Sequence, residues 1–112
     1  MKTRFLGKTD LQVSELCVGT GSFGGLGGYK KTGEIGQKEA DYIVSMAMDA
    51  GINFFNTAEI YSEGLAEEIL GKALGAKRKD AIVITKMHPD LHREPDSGGF
   101  SRKHIFEACE AS

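Results

Sequence analysis

Three times in this chain a short apolar run gives way to a stretch that reads as helix. The runs are "LCVGT", "INFFNTA" and "AIVITK", and each is rich in β-branched or aromatic residues with little polar alternation. Such a strand is suited to burial on both faces, which is the condition of a parallel sheet. Parallel neighbours must be joined by a crossover, normally a right-handed one through a helix. The alternation therefore predicts an α/β fold with three parallel strands, near Leu16 to Gly19, Asn53 to Thr57 and Ile82 to Lys86.

The intervening segments carry helical periodicity. From Gln37 to Ala50, Ala40, Ile43, Val44, Ala47 and the neighbouring Met48 recur on one face, and Gly51 stands where a left-handed cap belongs. Met46 and Met48 are expected to fill core space. In "SEGLAEEILGKALG" the face is Leu65, Ile69, Leu70, Ala73 and Leu74, with Gly75 at the stop. The polar loop "MHPDLHREPDSGGF" leads to Ser101, an N-cap for the helix "RKHIFEACEAS", whose apolar face is expected from Ile105, Ala108 and Cys109. At the amino end, Gly7-Lys8-Thr9-Asp10 joins two short apolar stretches as a hairpin would.

Two parallel sheets compete for this pattern. Gly19-Thr20-Gly21-Ser22-Phe23-Gly24 satisfies the G-x-G-x-x-G fingerprint of a doubly wound dinucleotide fold. That motif needs a helix to open at once and an acidic residue about 20 positions on, at a strand end. Instead, "LGGYKKTGEIG" follows, and the acidic residues at the right distance, Glu39 and Asp41, sit in a helical pattern. In a barrel, successive strands lie side by side with every helix outside, and their carboxyl ends share one rim. Gly19-Thr20-Gly21, Asn56 with Tyr61, and Lys86 follow the three strands in turn, so a barrel gathers them at one place.

Charge and cysteine usage narrow the function. Fourteen Lys and Arg against 16 Asp and Glu leave a formal charge of −2, too little for a field that holds nucleic acid or an acidic membrane. Lys77-Arg78-Lys79 reads as a solvated helix end. Cys17, in an apolar strand, and Cys109, on a helical face, are expected to be small buried hydrophobes rather than a disulfide framework. No run of eighteen apolar residues or signal-peptide pattern occurs, and a cytoplasmic location is expected. His88-x-x-x-His92 has metal spacing only on a helix, and Pro89 disfavours one. Asp90, Glu94 and Asp96 nearby form no recognised calcium pattern, so no metal is expected.

Tyr61 and Lys86 are the pair suited to acid–base work, because an ammonium beside a phenol stabilises its phenolate. Each also fits a plain structural role, Tyr61 as a half-buried aromatic and Lys86 as a strand-end charge. "SELCVGTGSFGG", "GINFFNTAEIYSEGLAEEILGKAL", "IVITK" and "SRKHIFEACEAS" together resemble the N-terminal portion of the aldo-keto reductase family, over nearly the whole chain. The resemblance implies a hairpin followed by the first three strand–helix units of a parallel (β/α)8 TIM barrel. It also implies hydride transfer from NADPH (NADP) to a small aldehyde or ketone. Tyr61 then matches the proton donor and Lys86 the lysine that stabilises its phenolate. Gly19, Thr20 and Gly21 match the loop beside the nicotinamide ribose. Asn56 stands where the family has an aspartate paired with the lysine and near the cofactor. Its amide can accept a hydrogen bond from Lys86 but supplies no opposite charge.

The same resemblance places the family's catalytic histidine, on the fourth strand, after Ser112. His88, His92 and His104 do not match it. Residues 1–112 are accordingly expected to form a single, truncated barrel domain, inactive alone and prone to self-association through exposed strand edges. The second reading is a non-catalytic remnant or a nucleotide- or partner-binding module, favoured by Asn56.

Overall fold

The computed structural model describes residues 1–88 and 100–112. Its first element is a hairpin of β1 (Thr3–Phe5) and β2 (Gln12–Ser14), antiparallel with Thr3 opposite Ser14. Asn53 fastens this hairpin to the next sheet. The Ser14 amide donates to Asn53 Oδ1 at 2.8 Å, and Asn53 Nδ2 donates to the Gln12 carbonyl at 3.0 Å. Because Asn53 immediately precedes β4 (Phe54–Asn56), the hairpin lies across the amino end of that strand.

The second sheet is parallel, in the order β3 (Val18–Gly19), β4, β5 (Ile82–Ile84). Spatial order follows chain order without reversal, as barrel topology requires and as the alternation of strand and helix predicted. Val18 pairs with Phe55 and Phe55 with Val83, so these three share one face. That face meets α1 (Gln37–Asp49) and α2 (Leu65–Leu74), which also pack on each other. Phe55 is completely buried among Ala40, Val44 and Ala47 of α1 and Ala66, Ile69, Leu70 and Leu74 of α2. Alanines with no exposed surface at 40 and 66 let the helices approach closely. The third helix, α3 (Arg102–Ala111), borders the same side, where Cys109 and Ser112 line a cleft with Leu70 and Val83. Ser101 caps it, its side chain accepting from the His104 amide.

The opposite face, with Phe54, Ile82 and Ile84, is only partly buried. Burial on both faces, expected from the apolar strands, is therefore realised fully at Phe55 alone among the residues of β3 to β5. Some expectations of burial fail, each for a reason of period. Met46 is 53% exposed, because it lies on the side of α1 away from Ala40, Val44 and Ala47, whereas Met48 flanks the core. Cys17 is exposed, because strand alternation puts it opposite to Val18. Helix α3 buries His104 and Ala108, one turn apart, and this leaves Ile105, Phe106 and Cys109 exposed, with Ile105 and Cys109 lining open clefts.

Between β3 and α1 the chain forms a compact loop rather than a helix. A short 3-10 turn occupies Gly27–Tyr29, and Phe23 bridges Ile35 in parallel, with Gly24 N donating to Ile35 O at 2.9 Å. Gly33 makes this closure possible, since a Cβ there would stand 2.4 Å from the Ser22 backbone. Gly33→Ala is expected to lower stability by about 1–3 kcal/mol, the usual cost of forcing atoms into a packed site. Thermal unfolding of the complete protein carrying this sequence checks it, with an unchanged midpoint as the contrary result.

Candidate active site

The ladder of the parallel sheet brings three loops to one rim. Gly19 lies in register with Asn56, and Asn56 with Ile84. Just beyond, Thr20 is fully buried and donates both its amide (3.0 Å) and its hydroxyl (3.3 Å) to the Asn56 carbonyl. The Thr57 amide donates to Ile84 O at 2.8 Å and the Glu59 amide to Lys86 O at 3.1 Å, which extends the pairing past the strand ends. These backbone bonds fix Lys86 beside the Asn56–Thr57 segment. Its ammonium donates to Asn56 Oδ1 and to the Thr57 carbonyl.

Tyr61 reaches the same place through a tight turn, in which its amide bonds to Ala58 O at 3.0 Å. Lys86 Nζ stands 4.9 Å from the centre of the Tyr61 ring, a cation–π contact. The edge of Tyr29 approaches the ring with centroids 5.4 Å apart and planes at 63°. A Cβ on Gly21 would come within 3.9 Å of Tyr61 Cζ, so the glycine loop lies against the phenol. Asn56, Tyr61 and Lys86 are thus assembled beside Gly19–Gly21, as the barrel arrangement predicted.

The turn after Tyr61 is unusual. Ser62 (φ 51°) and Glu63 (φ 58°) both occupy the left-handed region, followed by Gly64 at φ 91°. For non-glycine residues this costs about 1–3 kcal/mol each, sustained only where surrounding structure insists. Ser62 is fully buried and its hydroxyl donates to the Phe23 carbonyl at 2.7 Å. Sequence reasoning missed Ser62 and Tyr29, since neither belongs to a residue type that marks a strained turn, and Tyr29 sits amid glycines that read as loop.

Cys17, immediately before β3, lies within reach of the Lys86 charge. Although the residue is exposed overall, partial burial of its sulfur pushes the thiol above its ordinary pKa, with the Lys86 ammonium opposing. His88 is partly buried, its amide bonded to the Glu59 carboxylate. His92, Asp90, Glu94 and Asp96 lie outside the described residues.

Residues 15–112 match the model of the Aldo/keto reductase family. The chain belongs to that family. Among solved structures, this aldo/keto reductase chain resembles an aldo-keto reductase from Bacillus halodurans in its holo form. The likeness has a TM-score of 0.76 and 34% identity, covering 98% of this chain and 34% of that one. Two curated relatives carry the name "Probable voltage-gated potassium channel subunit beta". The one from Oryza sativa subsp. japonica is 39% identical over 116 residues, and the one from Arabidopsis thaliana 40% identical over 119. Both matches take in 100% of this chain and 33% of the relative, so the chain spans about a third of the length of the curated relatives it matches. Among the described residues no helix is long and apolar enough to cross a membrane.

Proposed function

We propose that this chain is part of an oxidoreductase that uses NADPH to reduce the carbonyl of a small aldehyde or ketone, with Tyr61 as proton donor. In this reading β3, β4 and β5 with their helices are the first three units of a (β/α)8 barrel. The observation that carries the proposal is the Lys86 ammonium, bonded to Asn56 and lying over the Tyr61 ring at the strands' carboxyl ends.

The residues fit a nicotinamide. Gly19 is exposed and a Cβ built there meets nothing within 4 Å, so a flat ring has open access to the backbone beside Asn56. When bound, the reduced nicotinamide supplies a hydride to the carbonyl carbon. Tyr61 gives its hydroxyl proton to the carbonyl oxygen, and the charge left on the phenolate is met by Lys86. Asn56 and the Thr57 carbonyl hold Lys86 in place through its ammonium protons. Asn56, Gly19 and Gly21 form the cofactor's margin in this reading, whereas Thr20, fully buried and bonded to the Asn56 carbonyl, holds that loop in place from beneath instead of meeting the cofactor as expected.

The test is turnover of a reactive aromatic aldehyde, followed by the absorbance of the reduced nicotinamide, with the complete protein carrying this sequence. Asn56→Asp is expected to raise kcat about tenfold, equivalent to about 1.4 kcal/mol, because a carboxylate beside Lys86 strengthens its hold and its charge. Equal rates from mildly acidic to mildly alkaline pH would show that the amide suffices. A second reading, a nucleotide- or partner-binding module without turnover, is favoured by the neutral Asn56 and by relatives named as channel subunits. It predicts NADPH binding with no aldehyde-dependent oxidation, in the parent and in Asn56→Asp alike.

A further inference from the structure

We infer that Ser62 is a positioning residue for Tyr61, setting the phenol against the glycine loop through its bond to the Phe23 carbonyl. This inference rests on the reading of Tyr61 as proton donor. Two loops must agree for that chemistry: the one carrying Gly19–Gly21 and the one carrying Tyr61. Several contacts join them. The Tyr61 ring lies against Gly21 and meets the edge of Tyr29, while Ser62 Oγ donates to Phe23 O at 2.7 Å. The two ring contacts tolerate sliding and rotation, whereas a hydrogen bond is directional. Ser62 is the next residue after Tyr61, so its bond fixes the height and turn of the phenol at the rim.

The backbone gives independent support. Nothing about serine or glutamate favours the left-handed conformation that Ser62 and Glu63 adopt. An extended or right-handed Ser62 would carry its hydroxyl away from Phe23 and re-aim Tyr61. Gly24 completes the fit, since a Cβ there would lie 2.9 Å from Ser62 Cβ and 3.1 Å from the Leu65 side chain. The glycine adjacent to Phe23 is thus what admits the buried serine.

Ser62→Gly tests this in the complete protein, because glycine accepts the backbone angle while losing the hydroxyl. The rate is referred to the number of cofactor-binding sites, and Tyr61→Phe is run alongside. The expected result is a fall in kcat of about tenfold to a hundredfold, the scale of an ångström's misplacement. The KM for NADPH should stay within about twofold, and the fluorine resonance of 3-fluorotyrosine introduced at position 61 should shift. A parental kcat per binding site in Ser62→Gly, even with lower thermal stability, would overturn the positioning role and leave the proton donor standing. Parental turnover by Tyr61→Phe would instead overturn the proton-donor reading, and the inference with it. Should Ser62→Gly fail to fold, Ser62→Ala removes the same hydroxyl without adding bulk and should give the same split, with an unaltered kcat again the overturning result.

Discussion

Tyr61→Phe is expected to lower kcat for carbonyl reduction by about 10²–10⁴-fold, the usual worth of a positioned proton donor, while NADPH affinity stays near that of the parent. The separation of these two quantities follows from the geometry. The ring's contacts with Lys86, Tyr29 and Gly21 are made by its carbons, and phenylalanine retains them. The hydroxyl alone is lost, and with it the proton that the carbonyl oxygen must gain as hydride arrives at carbon. Steady-state rates combined with fluorescence titration of the reduced nicotinamide check both halves. A variant that turns over at the parental rate would leave Tyr61 as an aromatic wall between the glycine loop and Lys86. A variant that also loses cofactor binding would assign the hydroxyl to the cofactor's grip instead.

Phe55→Ala is expected to destabilise the protein by about 3–5 kcal/mol, the range for removing a fully buried phenylalanine. A domain commonly has only about 5–15 kcal/mol in all. Phe55 stands at the centre of β4, between Val18 and Val83 across the sheet and beneath residues of both α1 and α2. Its removal opens a space that helices already in close contact through Ala40 and Ala66 are poorly placed to fill. A urea titration of the complete protein carrying this sequence checks it, and an unchanged midpoint would overturn the central place given to Phe55.

The organisation was legible in the sequence because periodicity is a local property. Apolar strands with helical spacing between them predicted three parallel strands in chain order, the hairpin before them, and helix ends at Gly51 and Gly75. The same pattern put Asn56, Tyr61 and Lys86 at or just past strand ends, which is enough to gather them on one rim whatever their side chains do. The glycine run was also read correctly as unable to open a helix, since its backbone cost does not depend on distant contacts.

What the sequence could not determine is which of two apolar positions turns inward when neither helix nor strand has a polar alternative there. Met46, Cys17, Ile105 and Cys109 are apolar but exposed, while His104 is buried, because the rotation of each element is chosen by what it packs against. The left-handed turn at Ser62 and Glu63 belongs to the same class. It is locally unfavourable and exists because a carbonyl 39 residues earlier in the chain accepts the Ser62 hydroxyl. Chain pattern determined which groups arrive at the rim. Tertiary contact decided how they face one another, since Lys86 over the Tyr61 ring and Ser62 beneath the glycine loop are interactions between segments that no local propensity couples.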